Sequence, residues 1–236
     1  MTMDLISSKK SWLVAPVAAV LLYAALVATW AVMEPSALVP LFDNDGASPV
    51  ELMTLPLFAL IVPLVWLCPP CAGTVRRQCA WSALWSLLGV MAIVRETDVH
   101  KALFAKIWPG VAANFHGTVF KMKFLKASGI PFMPKLFVAV FFVLFFAAVI
   151  VPLVKGFFKM EPVAWTMAVF GCVSTSVLVV DRLPANLRHA GVDLSDGAVA
   201  LLKVFEEGGE MVMALMALLA VLQSHLIFCR GSHAAD

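Results

Sequence analysis

Residues 12–33 read WLVAPVAAVLLYAALVATWAVM, an unbroken run without a single charged side chain. A helix that crosses a bilayer needs roughly 20 mainly apolar residues, and lipid offers no partner for backbone polar groups, so such a run has to satisfy them internally as a helix. Five further apolar runs follow at 52–67, 81–94, 136–154, 163–180 and 211–229. Of the 236 residues 62% are hydrophobic and only 14% charged, with a mean hydropathy of +0.94, whereas a soluble domain carries about a quarter charged residues. A transmembrane β-barrel would need short alternating segments, which are absent. The sequence therefore predicts an all-α, polytopic transmembrane bundle of about six spans, a single domain over 1–236 with spans near 12–33, 52–67, 79–100, 136–154, 163–180 and 207–229.

The first run follows Lys9 and Lys10, as a signal peptide would. It is too long and lacks a clear small-residue cleavage site, so it reads as a retained helix. Six spans put both termini on one side. Lys9, Lys10, Arg76, Arg77, Lys155, Lys159 and Arg230 fall on that side, while the loop from Glu34 to Glu51 has four acids and no base. Short basic loops stay in the cytoplasm, so the termini are expected there. The segment from Arg95 to Lys135, with seven basic residues, argues the other way.

That segment is long for a connector. Trp108, Phe115, Phe120 and Phe124 alternate in it with Lys106, Lys121, Lys123 and Lys126, a composition that suits an interfacial helical segment between spans three and four. Lys121, Lys123 and Lys126 are the candidates for holding an anionic lipid head group, so membrane lipid is the expected partner. A net charge of +2 from dispersed basic residues excludes a nucleic-acid partner.

The ionisable groups gather at the ends of spans on the face opposite the termini, where they can converge. At the end of the third span Glu96 and His100 are four residues apart and share a helix face, as a metal or proton site requires. The alternative is a solvated helix end in which Arg95 pairs with Asp98. In the last helix Glu206, Glu207 and Glu210 surround Gly208 and Gly209. Crowded carboxylates call for a cation, and paired glycines inside a helix call for a kink or a close neighbour. The alternative there is a Lys203–Glu207 pair on a solvated first turn. Asp181, read as ending the fifth span, would complete the acidic set. Glu96, His100, Glu207 and Glu210 are thus the candidate metal ligands and catalytic groups, with Asp181 in support and zinc or iron as candidate ions. His116 and His189 read as surface residues. Cys68 and Cys71 have metal or redox spacing, but two intervening prolines and no thioredoxin-like context make a turn the better reading.

The runs Arg95-Glu96-Thr97-Asp98-Val99-His100-Lys101, Val180-Asp181-Arg182-Leu183 and Glu206-Glu207-Gly208-Gly209-Glu210, together with Lys123-Phe124-Leu125-Lys126, resemble a group of uncharacterised bacterial inner-membrane proteins with an RExDxHK-like helix end and a terminal EExxE helix. The resemblance covers roughly residues 80–228. It implies a multi-pass protein of the bacterial inner membrane and supplies no activity. Di-iron bundles, membrane ceramidase-like hydrolases and zincins fit poorly, because their Glu-x-x-His, paired-His and His-Glu-x-x-His motifs are missing. The sequence leaves three expectations: a metal-dependent enzyme acting on a lipid or lipid-linked substrate, a proton- or ion-coupled carrier, and a non-catalytic subunit that binds partner proteins.

Overall fold

The computed structural model describes residues 11–43, 48–67, 75–96, 103, 106–108 and 122–233, with only the main chain described at 76, 77, 95, 96, 122, 123 and 228–233. Among them the chain is helical throughout: α1 (Val14–Val32, entered by a 3-10 turn at Ser11–Leu13), α2 (Pro35–Phe42), α3 (Pro49–Leu67), α4 (Val75–Glu96), α5 (Met122–Lys126), α6 (Phe132–Phe158), α7 (Pro162–His189) and α8 (Asp196–His233). Five of these, Ser11–Val32, Pro49–Leu67, Phe132–Phe158, Pro162–His189 and the Asp196–Ile227 part of α8, are long and apolar enough to cross a membrane, and Gln78–Val94 is a shorter apolar sixth. The protein is thus an integral membrane protein built as an all-α bundle of about six spans.

Prolines mark the starts. Pro35 and Pro162 occupy first-turn positions behind Glu34 and Glu161, both extended, where the missing N–H has no helical partner to lose. Prolines also lie inside helices: Pro40 in α2, Pro56 and Pro63 in α3 and Pro184 in α7. Pro152 in α6 cannot donate to the carbonyl four residues back. Just before it the helix widens into a π turn over Phe146–Ile150, and the Val151 N–H reaches Phe146 O instead.

The described residues of Met1–Gly89 and Gly156–Asp236 form one compact unit and those of Val90–Lys155 another. In the first unit α8 is the central helix: 56% of its most apolar window is buried, against 17–28% for the spans of α1, α3 and α7. Its buried face comprises Val204, Val212, Met213, Ala214, Met216, Ala217, Ala220 and Val221. α1 runs antiparallel to it. Trp30 Nε1 donates to Gly197 O at 3.1 Å near one end, and Gln223 Nε2 donates to Ser11 O at 3.3 Å near the other. α7 is antiparallel as well, with Thr166 bonded to Gln223 and Val177 seated over Gly209. α3 packs on α8 and turns back into α4, where Ser82 Oγ donates to Val65 O at 2.8 Å and Gly89 lies against Phe58 O and Val62.

In the second unit, Phe124 of α5, Ile130 and Val138 form a small core backed by Trp108, Leu125, Ala127 and Phe142. The expected helical segment between spans three and four is present there as α5. Several helices run past their predicted spans, two of them with consequences for the site: α7 continues through Asp181 to His189, making Asp181 an internal residue, and α8 begins at Asp196, well before residue 207. Ser195, just before α8, accepts the Ala198 N–H on its hydroxyl oxygen at 3.4 Å. Cys68 and Cys71 lie outside the described residues.

Candidate functional site

The site starts from four residues, Ser48-Pro49-Val50-Glu51. Serine followed by glutamate three positions on forms a reciprocal cap at a helix start. Here Ser48 N–H donates to Glu51 Oε2 and Glu51 N–H donates to Ser48 Oγ, both at 3.1 Å, while the Ser48 hydroxyl donates to Phe42 O at 2.9 Å. The cap therefore ties the start of α3 to the end of α2. Leu38 and Phe42 anchor α2 by burial, at 1% and 4% exposure. Asp43 closes that helix, its N–H donating to Val39 O at 2.7 Å.

Asp43 and Glu51 are thereby brought to α8. One ligand oxygen each from Asp43, Glu51 and Glu207 lie within 4.8 Å of one another, and all three residues are half-buried. Lys203 stands beside them, with Nζ 2.8 Å from Asp43 Oδ2 and 3.1 Å from Glu206 Oε2. Glu210 is nearly buried, at 9% exposure, and lies within electrostatic reach of both Glu206 and Glu207; Asp181 acts on Glu206 from α7. Among the described residues a single ammonium thus stands among several carboxylates, a set whose balance calls for protons or a further cation.

The helical repeat explains why these groups cluster. At about 100° per residue, Lys203, Glu206, Glu207 and Glu210 fall on one flank of α8, and Gly208 and Gly209 on the other. The glycine side is packed shut. A Cβ on Gly208 would stand 2.6 Å from Leu26 Cδ2, and one on Gly209 would stand 2.5 Å from Val177 Cγ2 and 3.1 Å from Tyr23 Oη. Tyr23 is fixed above it by a ring stack on Phe205, with centroids 5.7 Å apart, and by a hydrogen bond to Ser176 Oγ at 3.2 Å. Of the two explanations expected for the glycines, close approach is the one observed, since α8 runs unbroken through both.

Of the predicted site residues, Glu207 is a member of the carboxylate triad, Glu210 and Asp181 lie around it, and Lys126 is exposed on α5. The side chains of Glu96 and Lys123, and all of His100 and Lys121, lie outside the described residues, as does the expected approach of Glu96 and His100 to Glu207 and Glu210. The salt bridges of Lys203 go to Asp43 and Glu206, whereas the alternative reading of a solvated first turn paired it with Glu207. Sequence reasoning passed over Asp43 and Glu51. Two signals pointed to them: the capping pattern at Ser48–Glu51, and the four acids of a loop on the same face as the start of the last span.

Searches with protein-family models, among curated proteins and among solved structures found no match to this chain.

Proposed function

We propose that this membrane protein binds a hard divalent cation between Asp43, Glu51 and Glu207 and uses it in a metal-dependent reaction on a lipid or lipid-linked substrate. The observation that carries this reading is the convergence of three carboxylates from three separate segments, with ligand oxygens within 4.8 Å of one another. Two oxygens on opposite sides of one ion are separated by about twice the bond length, roughly 4.6–5.2 Å for calcium and about 4.2 Å for magnesium, so small side-chain adjustments suffice. An all-oxygen set favours magnesium, calcium or manganese over zinc and iron, which draw more on imidazole and thiolate. A cation held there would act as a Lewis acid on a phosphoryl or carbonyl oxygen. Glu206 and Glu210 are the neighbouring groups placed to take or give a proton.

Lys203 favours a second reading. An internal ammonium already neutralises part of the cluster, so protons alone could balance the rest, as in a proton-coupled carrier. Against this, residues 211–222 of α8 contain no ionisable side chain, a stretch of about 18 Å along the helix. That favours a site opening on one side only.

Calorimetric titration of the purified, chelator-treated protein with Mg²⁺, Ca²⁺, Mn²⁺ and Zn²⁺ tests the proposal. One ion of the hard class per chain, with binding weakened at least about tenfold in Glu207→Gln and Glu51→Gln, is the expected result; one lost ligand of three is worth at least about 1.4 kcal/mol. Absence of divalent binding together with proton flux in liposomes that Glu207→Gln abolishes would establish the carrier instead.

A further inference from the structure

The second compact unit carries a different kind of surface. From residue 99 to residue 160 the sequence contains no aspartate or glutamate, yet it holds Lys101, Lys106, Lys121, Lys123, Lys126, Lys135, Lys155 and Lys159. Lys106, Lys126 and Lys135 are described with their side chains near the entrance to α6. Phe124 of α5 is fully buried in the small core with Ile130 and Val138, and Trp108 packs against it. Lys126 follows Phe124 by two positions, about 200° around the helix, and is exposed. Lys123 precedes it by three positions, which places both on one flank. Lys106, two residues before Trp108, is exposed too.

Lys135 closes the arrangement. It lies in the first turn of α6, and its Nζ donates to Ala127 O at 2.6 Å. The turn after α5 is thereby strapped to the helix that follows, with Gly129 at φ +82° making the reversal. Immediately beyond the strap, α6 presents Phe132, Met133, Leu136 and Phe137 at its surface, the apolar side chains that a span buries in lipid. Trp108 reaches Phe137, with centroids 6.2 Å apart, and tryptophan at such a boundary sits at head-group level. With α6 spanning the bilayer, Lys106 and Lys126 beside Trp108 fall at the depth of the lipid phosphates. A basic cluster beside a span, with no acid of its own segment to compete, is complementary to an anionic surface.

We infer that α5 and the turn into α6 form a docking surface for the phosphate head groups of anionic phospholipids, with the exposed Lys106 and Lys126 as its contact residues. This inference is independent of the cation site, which belongs to the other compact unit.

The test uses the full-length protein in neutral detergent, with added phosphatidylglycerol or phosphatidylcholine and retained lipid read by native mass spectrometry. The expected result is preferential retention of phosphatidylglycerol that falls about fivefold or more in the Lys106→Gln/Lys126→Gln double variant and is kept in Lys126→Arg, on the scale of two lysines facing an anionic surface. Equal retention of the two lipids, or a preference that the double variant keeps, would overturn it. So would displacement of the lipid by low-millimolar inorganic phosphate, which would assign the lysines to a free anion. Lys106 and Lys126 are both exposed, and an unchanged circular dichroism spectrum verifies that the variant is folded.

Discussion

The ammonium of Lys203 lies 2.8 Å from Oδ2 of Asp43, joining the central helix α8 to the residue that ends the short helix between the first two spans. Both side chains are about one-third exposed, at 31% and 30%. The pair is therefore worth far less than a desolvated one, and its value lies in geometry: it fixes where the Asp43 carboxylate stands relative to Glu207.

A double-mutant cycle on Lys203→Met and Asp43→Asn should give a coupling energy of about 1 kcal/mol or less, as expected for a partly exposed pair. Lys203→Met should also raise divalent-cation affinity severalfold or more, because it removes a competing positive charge beside the triad. Unfolding in denaturing detergent reads the first quantity and calorimetry the second. Unchanged or weakened cation binding in Lys203→Met would separate the ammonium from the triad.

Gly208 and Gly209 should respond unequally to alanine. The Cβ of Gly209→Ala meets a branched valine with little rotamer freedom, whereas that of Gly208→Ala meets the far end of Leu26, which can turn away. Gly209→Ala should destabilise by about 1–3 kcal/mol and Gly208→Ala by less. Val177→Ala should restore part of the loss at Gly209. Equal effects of the two substitutions, with no rescue, would show that close packing is not what the glycines provide.

Gln223 is fully buried between Thr166 and the backbone of Ser11. The coupling of Thr166→Val with Gln223→Leu should be about 0.6 kcal/mol, the usual scale for hydrogen bonds between membrane helices, because the partially unfolded chain finds other partners. A cycle that sums to zero would reduce the contact to packing.

The basic pairs on the terminal side predict cytoplasmic termini. Between α6 and α7, Phe157 stacks on Trp165 with centroids 4.3 Å apart whereas Lys159 is exposed, so Lys159 is the position for a reporter cysteine. With the native cysteines replaced, an impermeant thiol reagent applied to intact cells should label Asn44→Cys and spare Lys159→Cys. The reverse pattern would invert the topology.

Residues 12–33 and the later apolar runs determined by themselves that the chain is a helical membrane protein, because lipid leaves an uncharged segment of that length no other way to satisfy its backbone. They determined the alternating directions too, and hence that Glu207 and the loop before α3 share one face. The Glu206–Glu210 stretch was legible as a crowded acidic helix, and its glycines as a sign of a close neighbour. Which neighbour was not legible. Leu26, Val177 and Tyr23 come from helices far away in sequence, and apolar spans are so alike in composition that their order around the bundle leaves no local trace. The triad depended on the same step. Asp43 and Glu51 are ordinary loop and helix-start acids until burial of Leu38 and Phe42, the Ser48 cap and the Lys203 bridge press them against α8. Only tertiary packing decides that, because it alone sets which of many surface carboxylates come within a few ångströms of one another.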